Sequence, residues 1–88
     1  MMKVKVSIFS FLREKLGWRE KTVELDCNRA TLREVLHRFP DLKEIVVNQK
    51  PEDFIILVNG RNIRHLKMLD TELSDGDEVV VFPPGGGG

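Results

Sequence analysis

The architecture of this chain follows from residues 75–84, which read DGDEVVVFPP. The Asp-Gly-Asp start is a turn signal, because glycine tolerates positive φ and aspartate can bond to its own backbone. The unbroken apolar run of residues 79–82 is typical of a strand that is covered on both faces or lies centrally in a sheet. Two prolines then end the strand, since proline cannot donate a ladder hydrogen bond. In the simplest arrangement this last strand lies beside the first strand and parallel to it.

Four further strands are predicted upstream of this run. Residues 3–9 alternate, with Val4, Val6 and Ile8 on one face, which is the pattern of a half-buried strand. Asn59-Gly60 is a tight-turn signal because both residues tolerate positive φ, so a short strand is expected to follow it. The remaining strands are predicted over residues 22–26, 54–58 and 62–64.

The main helix is predicted over residues 31–39. Thr31 and Glu34 have the spacing of a capping box, which satisfies two backbone N–H groups at the helix start. The apolar residues follow the i, i+3, i+4, i+7 pattern, so one stripe faces a core. Pro40 is expected to end the helix. The stripe consists of Leu32, Val35, Leu36 and Phe39.

Two shorter helical segments flank the main helix. Residues 11–16 are predicted to form a short helix, with Ser10 as its N-cap and Gly17 at its end. Residues 41–46 are expected to add one further turn.

These elements predict an α+β fold, with a mixed sheet of four to five strands and one main helix across one face. One amphipathic helix covers only one face of one sheet, and this arrangement buries every apolar stripe. A chain of 88 residues suffices for one domain and not for two. We therefore expect one domain over residues 1–82 and a flexible Pro-Pro-Gly-rich tail over residues 83–88.

Charge and cysteine content exclude several classes of function. The 14 basic and 14 acidic residues give a formal net charge of zero, which argues against a broad nucleic-acid or membrane surface. Cys27 is the single cysteine, so no internal disulfide is possible, and we interpret it as structural. His37 and His65 lack ligand spacing, so no metal site is predicted. A reducing, cytoplasmic setting is expected.

The tail is the strongest candidate for chemistry. Residues 85–88 are glycines without a Cβ, so their backbone can pass through a narrow channel in a partner. The carboxylate of Gly88 is a poor electrophile and reacts only after activation, for example as an acyl-adenylate. The chain has no phosphate-binding loop of its own, so a partner enzyme must supply the activation. The alternative is a disordered end or a remnant of cloning.

Motifs along nearly the whole chain resemble the MoaD family, the small sulfur-carrier subunits of molybdopterin synthase, and the related archaeal small modifier proteins. Residues 9–17 match the family's F-x-x-L-R-E-x-x-G opening, and residues 58–66 resemble the VNG and NIRHL stretches of its archaeal members. The match continues through residues 75–79 and 82–84 and ends in Gly87-Gly88.

This resemblance implies a β-grasp, ubiquitin-like fold and a specific chemistry. A ubiquitin-activating-type adenylyltransferase would adenylate Gly88 with ATP and magnesium, so the chain itself binds no cofactor. Sulfur delivery would make a thiocarboxylate, which serves molybdopterin synthesis with the large synthase subunit. Gly87 would be the neighbour that fits the enzyme channel, and the chain is not catalytic alone. The family tail usually has valine where Gly85 stands, so an apolar anchor is lost there.

The resemblance also implies a partner-binding surface near the tail. Its candidates are Phe9, Ile63, Leu66, Phe82, Pro83, Pro84, Gly85 and Gly86. The alternative for the aromatic residues is an ordinary place in the core, where strand aromatics usually lie. Arg13 and Glu14 are interpreted as a solvated helix face, and Trp18 as a loop-packing residue.

Three other functions are compatible with the same tail. A ubiquitin-like modifier would join Gly88 to lysines of target proteins through the same activated intermediate. A thiamine-pathway sulfur carrier is less favoured, because such chains are usually shorter and lack the LRE opening. A passive binding module would use no tail chemistry.

Overall fold

The last strand of the chain lies in the middle of the main sheet. The computed structural model describes residues 1–48 and 53–84. Five strands form this sheet in the order β2-β1-β7-β4-β5, and two short strands, β3 and β6, form a second ladder. The strands are β1 (Met2–Ile8), β2 (Glu20–Leu25), β3 (Ala30–Thr31), β4 (Ile55–Val58), β5 (Arg61–Asn62), β6 (Glu72–Leu73) and β7 (Glu78–Phe82). The helices are α1 (Phe11–Leu16), α2 (Leu32–Leu36) and α3 (Pro40–Asn48).

The pairing of β7 confirms the mixed sheet predicted from the sequence. It runs parallel to β1, with Val6 beside Val79, and antiparallel to β4, with Val58 beside Val79. The other ladders are antiparallel. A mixed sheet with helices packed on one face is the β-grasp, ubiquitin-like arrangement, so the predicted fold class is confirmed.

The Asn59-Gly60 hairpin is confirmed, but the strand after it is shorter than predicted. Asn59 and Gly60 have φ of 51° and 85°, the left-handed pair that a two-residue hairpin turn requires. The strand predicted over residues 62–64 is Arg61–Asn62, and a 3-10 turn, Ile63–His65, follows it. The Asn62 side chain accepts a hydrogen bond from the Arg64 N–H, which caps this turn.

The predicted main helix is shorter in the structure, and the helical segment predicted after it is longer. Its capping box is confirmed, because Thr31 accepts from the Glu34 N–H and the Glu34 carboxylate accepts from the Thr31 N–H. However, α2 ends at Leu36, and a new helix begins at Pro40, where fixed φ suits the first helical position. The single turn expected over residues 41–46 is the nine-residue α3.

The N-cap predicted for α1 is wrong, whereas its C-cap is confirmed. Ser10 has φ of 60° and its side chain caps nothing, although its carbonyl accepts the Arg13 N–H at 3.1 Å. Gly17 takes the left-handed conformation, and its N–H bonds to the Arg13 carbonyl at 2.9 Å. Backbone hydrogen bonds are therefore present at both ends of this short helix.

The core lies between the helices and one face of the main sheet. In β7, Val79 and Val81 are buried, whereas Val80 and Phe82 are only half-buried. The strand is thus central, as predicted, but helices cover only its inner face. No helix among the described residues is long and apolar enough to cross a membrane. The inner face and the helices bury chiefly Met2, Val4, Val6, Ile8, Leu12, Leu32, Leu36, Leu42, Ile56 and Leu73.

Candidate functional site

The outer face of β7 carries an apolar patch at the end where the tail begins. Side chains that are paired across neighbouring strands lie on the same face of a sheet. Phe82 pairs with Ile55, and Val80 pairs with Leu57, so four apolar side chains lie together on this face. Phe9 joins them through ring stacking. We define the apolar patch as Phe9, Ile55, Leu57, Val80 and Phe82.

Two aromatic rings form the part of the patch nearest the tail. The Phe9 and Phe82 rings stack with centroids 4.8 Å apart and an interplanar angle of 16°. The Phe9 N–H also donates to the Val81 carbonyl at 3.1 Å, which extends the parallel ladder past the end of β1. The prediction that the first and last strands are parallel neighbours is confirmed. Both rings are half-buried, so each has a surface left for a partner.

Arg13 braces this stack from α1. Its Nε donates to the Ile8 carbonyl at 2.7 Å, and its Cζ lies 4.2 Å from the centroid of the Phe9 ring. A guanidinium over an aromatic face is an attractive cation–π arrangement. The prediction of a solvated helix face is therefore wrong for Arg13, whereas Glu14 is exposed as expected.

A basic groove of about 350 Å³ lies beside the apolar patch. Arg13 and Arg19 supply its two guanidinium groups, while Glu20 is its only carboxylate among the described residues. Guanidinium groups bind carboxylates and phosphates with paired hydrogen bonds. The groove therefore offers an anion-binding rim next to an apolar surface. Its lining residues are Ser7, Phe9, Arg13, Arg19 and Glu20.

The opposite end of the same sheet face is charged. Lys5 lies 3.6 Å from a Glu20 oxygen and 3.9 Å from a Glu78 oxygen, and Lys3 lies 3.6 Å from Glu24. All of these side chains are substantially exposed, so each pair contributes little to stability. Their effect is to confine apolar contact to the tail end of the face.

The start of β7 is fixed by the side chain of Asn59. Its amide nitrogen donates to the Asp77 carboxylate, and its oxygen accepts the Glu78 N–H, both at 2.9 Å. The Asp75 carboxylate in turn accepts the Lys3 N–H at 2.8 Å. These bonds hold the strand that leads to the tail against both β4 and β1.

The predicted tail, residues 83–88, is described by the structure only as far as Pro84. Pro83 is buried and Pro84 is half-buried, so packing continues past the predicted domain end at residue 82. Pro83 is buried, and its predicted contact with a partner stays a prediction. Gly85 and Gly86, predicted to contact partners, and Gly87 and Gly88, predicted to carry the chemistry, lie outside the described residues.

The predicted contacts of Ile63 and Leu66 have different outcomes. Ile63 is 1% exposed and lies in the core, so its assignment to a partner surface is wrong. Ile63 is the first residue of the 3-10 turn after Asn62, and its side chain is the buried one of that turn. Leu66 is half-buried and lines a groove of about 510 Å³ that contains no residue of the apolar patch.

Three residues of the apolar patch were missed from the sequence: Ile55, Leu57 and Val80. The available signal was the alternation of side chains along a strand, which places residues 55 and 57 on one face and residues 54, 56 and 58 on the other. An all-apolar strand shows no contrast between its faces, so its exposed side could not be identified. Ile55 is 45% exposed, which makes it the most accessible aliphatic residue of this face.

The other singled-out residues have no part in this site. Cys27 is exposed, and its Sγ lies 3.9 Å from the Met2 sulfur. Trp18 stacks on Phe39 at 5.4 Å and donates to Asp41, which agrees with a loop-packing role. Within residues 1–48 and 53–84, no group of three or more histidine, cysteine or acidic side chains is placed to hold a metal ion.

Comparisons with known proteins place this chain in a family. The model of the ThiS family matches residues 6–88. Small archaeal modifier protein 3 of Haloferax volcanii is 32% identical over 99% of this chain and 100% of its own length. A protein of Archaeoglobus fulgidus, provisionally named a sulfur carrier, is 34% identical over 75% of this chain and 83% of its own.

A solved structure agrees with the sequence comparison. The Pyrococcus furiosus protein provisionally named molybdopterin converting factor subunit 1 superposes with a TM-score of 0.71 at 33% identity. The superposition covers 96% of this chain and 99% of that protein. The resemblance read from the motifs of the sequence is thereby confirmed. The chain belongs to the ThiS family of ubiquitin-like, MoaD-related sulfur carriers.

Proposed function

We propose that this protein is a MoaD-type sulfur carrier that works in molybdopterin synthesis through a thiocarboxylate at Gly88. The observation that carries the proposal is the stacked Phe9–Phe82 pair at the end of the central strand β7. Two prolines and four glycines, residues 83–88, come directly after Phe82 in the sequence. The stacked aromatic surface is thus joined through two prolines to four residues without side chains, which suits a reactive carboxylate presented to an enzyme.

The first step is activation of the carboxylate. A carboxylate oxygen of Gly88 attacks the α-phosphorus of ATP, forms a new P–O bond and displaces pyrophosphate. The product is an acyl-adenylate. Magnesium and the phosphate-binding groups belong to the partner adenylyltransferase, since the sequence has no phosphate-binding loop. The four glycines lack Cβ atoms and allow close approach of the enzyme's reacting groups.

The second step exchanges AMP for sulfur. Hydrosulfide, or an equivalent sulfide-level donor held by the partner system, attacks the Gly88 carbonyl carbon. A C–S bond forms, the C–O bond to AMP breaks, and a proton is released. The resulting thiocarboxylate is the sulfur donor for the large molybdopterin synthase subunit.

The apolar patch is proposed as the docking surface for both partners. Interfaces combine an apolar centre with a polar rim, and aromatic and arginine side chains are enriched in them. Here Phe9, Phe82 and Ile55 supply the centre, while Arg13 and Arg19 supply an anion-binding rim. A partner with apolar residues and an adjacent carboxylate would fit both features.

Pyrophosphate exchange with a cognate ubiquitin-activating-type adenylyltransferase tests the first step. The full chain should support exchange between labelled pyrophosphate and ATP, whereas deletion of Gly88 or addition of one residue after it should abolish it. Both variants should keep the amide NMR spectrum of residues 1–84, which separates loss of chemistry from loss of fold. Exchange that persists in either variant would show that Gly88 is not the activated group.

A protein modifier is the second candidate, favoured by the 32% identity to small archaeal modifier protein 3. In that function a lysine amine of a target protein, rather than sulfur, attacks the activated Gly88 carbonyl. The product is an isopeptide bond, and AMP leaves as before. Lysine-linked conjugates that require Gly88 would support this function, and their absence from cells containing the active adenylyltransferase would exclude it.

A further inference from the structure

We infer that a groove on the helical side of the domain binds an acidic protein segment that carries an aliphatic side chain. The groove lies between α2, α3 and the 3-10 turn Met68–Asp70. Its volume is about 240 Å³, and a second groove of about 360 Å³ shares His37, Lys43 and Val47 with it. The first groove is lined by Arg33, Leu36, His37, Lys43, Val47 and Leu69.

The floor and one wall of the groove are apolar. Leu36 and Leu69 belong to the buried core and form its floor. Val47 stands on the wall and is 46% exposed, although aliphatic side chains of this size are usually covered. A single aliphatic side chain from a partner would cover Val47 and remove both surfaces from water.

The rim of the groove carries positive charge that the described residues do not neutralise. The Lys43 Nζ donates to the His37 Nδ1 at 2.7 Å, and the accepting ring nitrogen carries no negative charge. Among residues 1–48 and 53–84, Lys43 forms no ion pair with a carboxylate. Arg33, on the other wall, lies 3.2 Å from Asp70. A carboxylate from outside would therefore find an available ammonium group beside an apolar wall.

These two features together specify the class of ligand. An apolar ligand alone would leave the ammonium group of Lys43 without a counter-charge, and a purely anionic ligand would leave Val47 exposed. A segment that places an acidic residue next to an aliphatic one satisfies both, because electrostatic complementarity supplies register and burial supplies affinity. Glu44 lines the second groove but not the first, and it would disfavour extension of the acidic segment past that end.

The groove and the apolar patch lie on opposite sides of the main sheet. The patch is on the outer face of β7 and β4, whereas α2 and α3 pack on the inner face through Leu32, Leu36 and Leu42. A ligand in the groove therefore leaves the patch free. This geometry would let the domain hold an acidic partner while an activating enzyme works on the tail.

Titration of the uniformly ¹⁵N-labelled full chain with a short capped peptide tests the inference. The probe is Asp-Glu-Asp-Leu-Val-Leu-Asp-Glu; one control replaces its aliphatic residues with serine, and another replaces its acidic residues with lysine. The probe should give saturable amide shifts confined to residues 33–47 and 69. Each control should bind at least about fivefold more weakly, and salt above about 0.3 M should weaken the probe.

Matched variants separate this groove from the other face of the sheet. Val47→Ser and Lys43→Glu should each weaken the probe about fivefold or more, and neither should change pyrophosphate exchange. Ile55→Ser is the matched control, because Ile55 is 45% exposed against 46% for Val47, and it should leave the peptide affinity unchanged. Lys15→Glu controls for the overall change in charge. Equal binding of the acidic and lysine peptides, shifts centred on the apolar patch, or no saturable shift would each overturn the inference.

Discussion

The Phe82 ring stacks on the Phe9 ring, and this contact joins the end of the last strand to the residue that follows the first strand. The two residues are 73 positions apart in the sequence, yet their centroids are separated by 4.8 Å. Because β1 and β7 are parallel neighbours, the C-terminal ends of both strands lie at the same end of the sheet. The tail therefore starts at the end of a strand that is paired on both sides.

Replacing Phe82 with alanine should reduce both stability and activation. The half-buried stacked ring is expected to contribute about 1–2 kcal/mol to the free energy of unfolding, as measured by urea denaturation. Loss of an aromatic anchor should also raise KM for the adenylyltransferase about tenfold while kcat changes less. Phe82→Leu should recover much of the stability and less of the affinity. A normal KM for Phe82→Ala would show that this ring does not belong to the docking surface.

Arg13→Lys should keep only part of the stability that the Arg13 side chain provides. Arg13→Ala removes both the bond to the Ile8 carbonyl and the charge over the Phe9 ring, at a cost of about 1–2 kcal/mol in unfolding free energy. Arg13→Lys keeps a charge but lacks the planar guanidinium, so it should recover less than half of that loss. The check is denaturation of both variants alongside Glu14→Ala, an exposed neighbour that should change stability little. Equal stability of Arg13→Ala and the wild-type protein would show that the contacts of Arg13 with Ile8 and Phe9 do not stabilise the fold.

Ile63→Ala should behave as a core substitution. Its side chain is 1% exposed, so truncation should cost about 2–4 kcal/mol of unfolding free energy. At temperatures where the variant remains folded, KM for the adenylyltransferase should equal that of the wild type. Ile55→Ser should show the reverse pattern, with nearly normal stability and a raised KM. A raised KM with normal stability in Ile63→Ala would show that Ile63 does contact the partner.

Asn59 should stabilise the fold both through its tolerance of positive φ and through its side-chain hydrogen bonds. Asn59→Gly keeps positive φ at low cost but loses the bonds to Asp77 and Glu78, so it should lose about 1–2 kcal/mol in urea denaturation. Asn59→Ala loses the same bonds and adds left-handed strain of about 1 kcal/mol. The alanine variant should therefore be the less stable of the two. If the two variants are equally stable, backbone strain at this turn is not a significant term.

Local signals in the sequence predict most of this fold. Alternation in β1, the capping box at Thr31 and the Asn59-Gly60 turn each depend on residues close together in the chain, and all three are confirmed. The double proline after Phe82 identifies the end of the central strand. Errors arise where tertiary packing overrides local preference, as at Ser10, whose φ of 60° precludes the expected cap.

The candidate site is harder to predict, because exposure is a property of the assembled sheet. Ile55 and Ile63 are the same residue type in the same half of the chain, yet one is 45% exposed and the other 1%. The apolar run of β4 shows no contrast between its faces, and the turn at residue 63 depends on a cap by Asn62. The sequence predicts only that the strands carrying Phe9 and Phe82 are neighbours, and the stacking of the two rings follows from the register in the structure.

Intact mass spectrometry shows directly whether Gly88 becomes a thiocarboxylate. The full chain is incubated with its cognate adenylyltransferase, ATP, magnesium and a sulfide source, and the Gly88 deletion serves as the control. A gain of about 16 Da is expected in the full chain only, since one sulfur replaces one oxygen. An unchanged mass with a demonstrably active enzyme, or the same gain in the deletion variant, would contradict it.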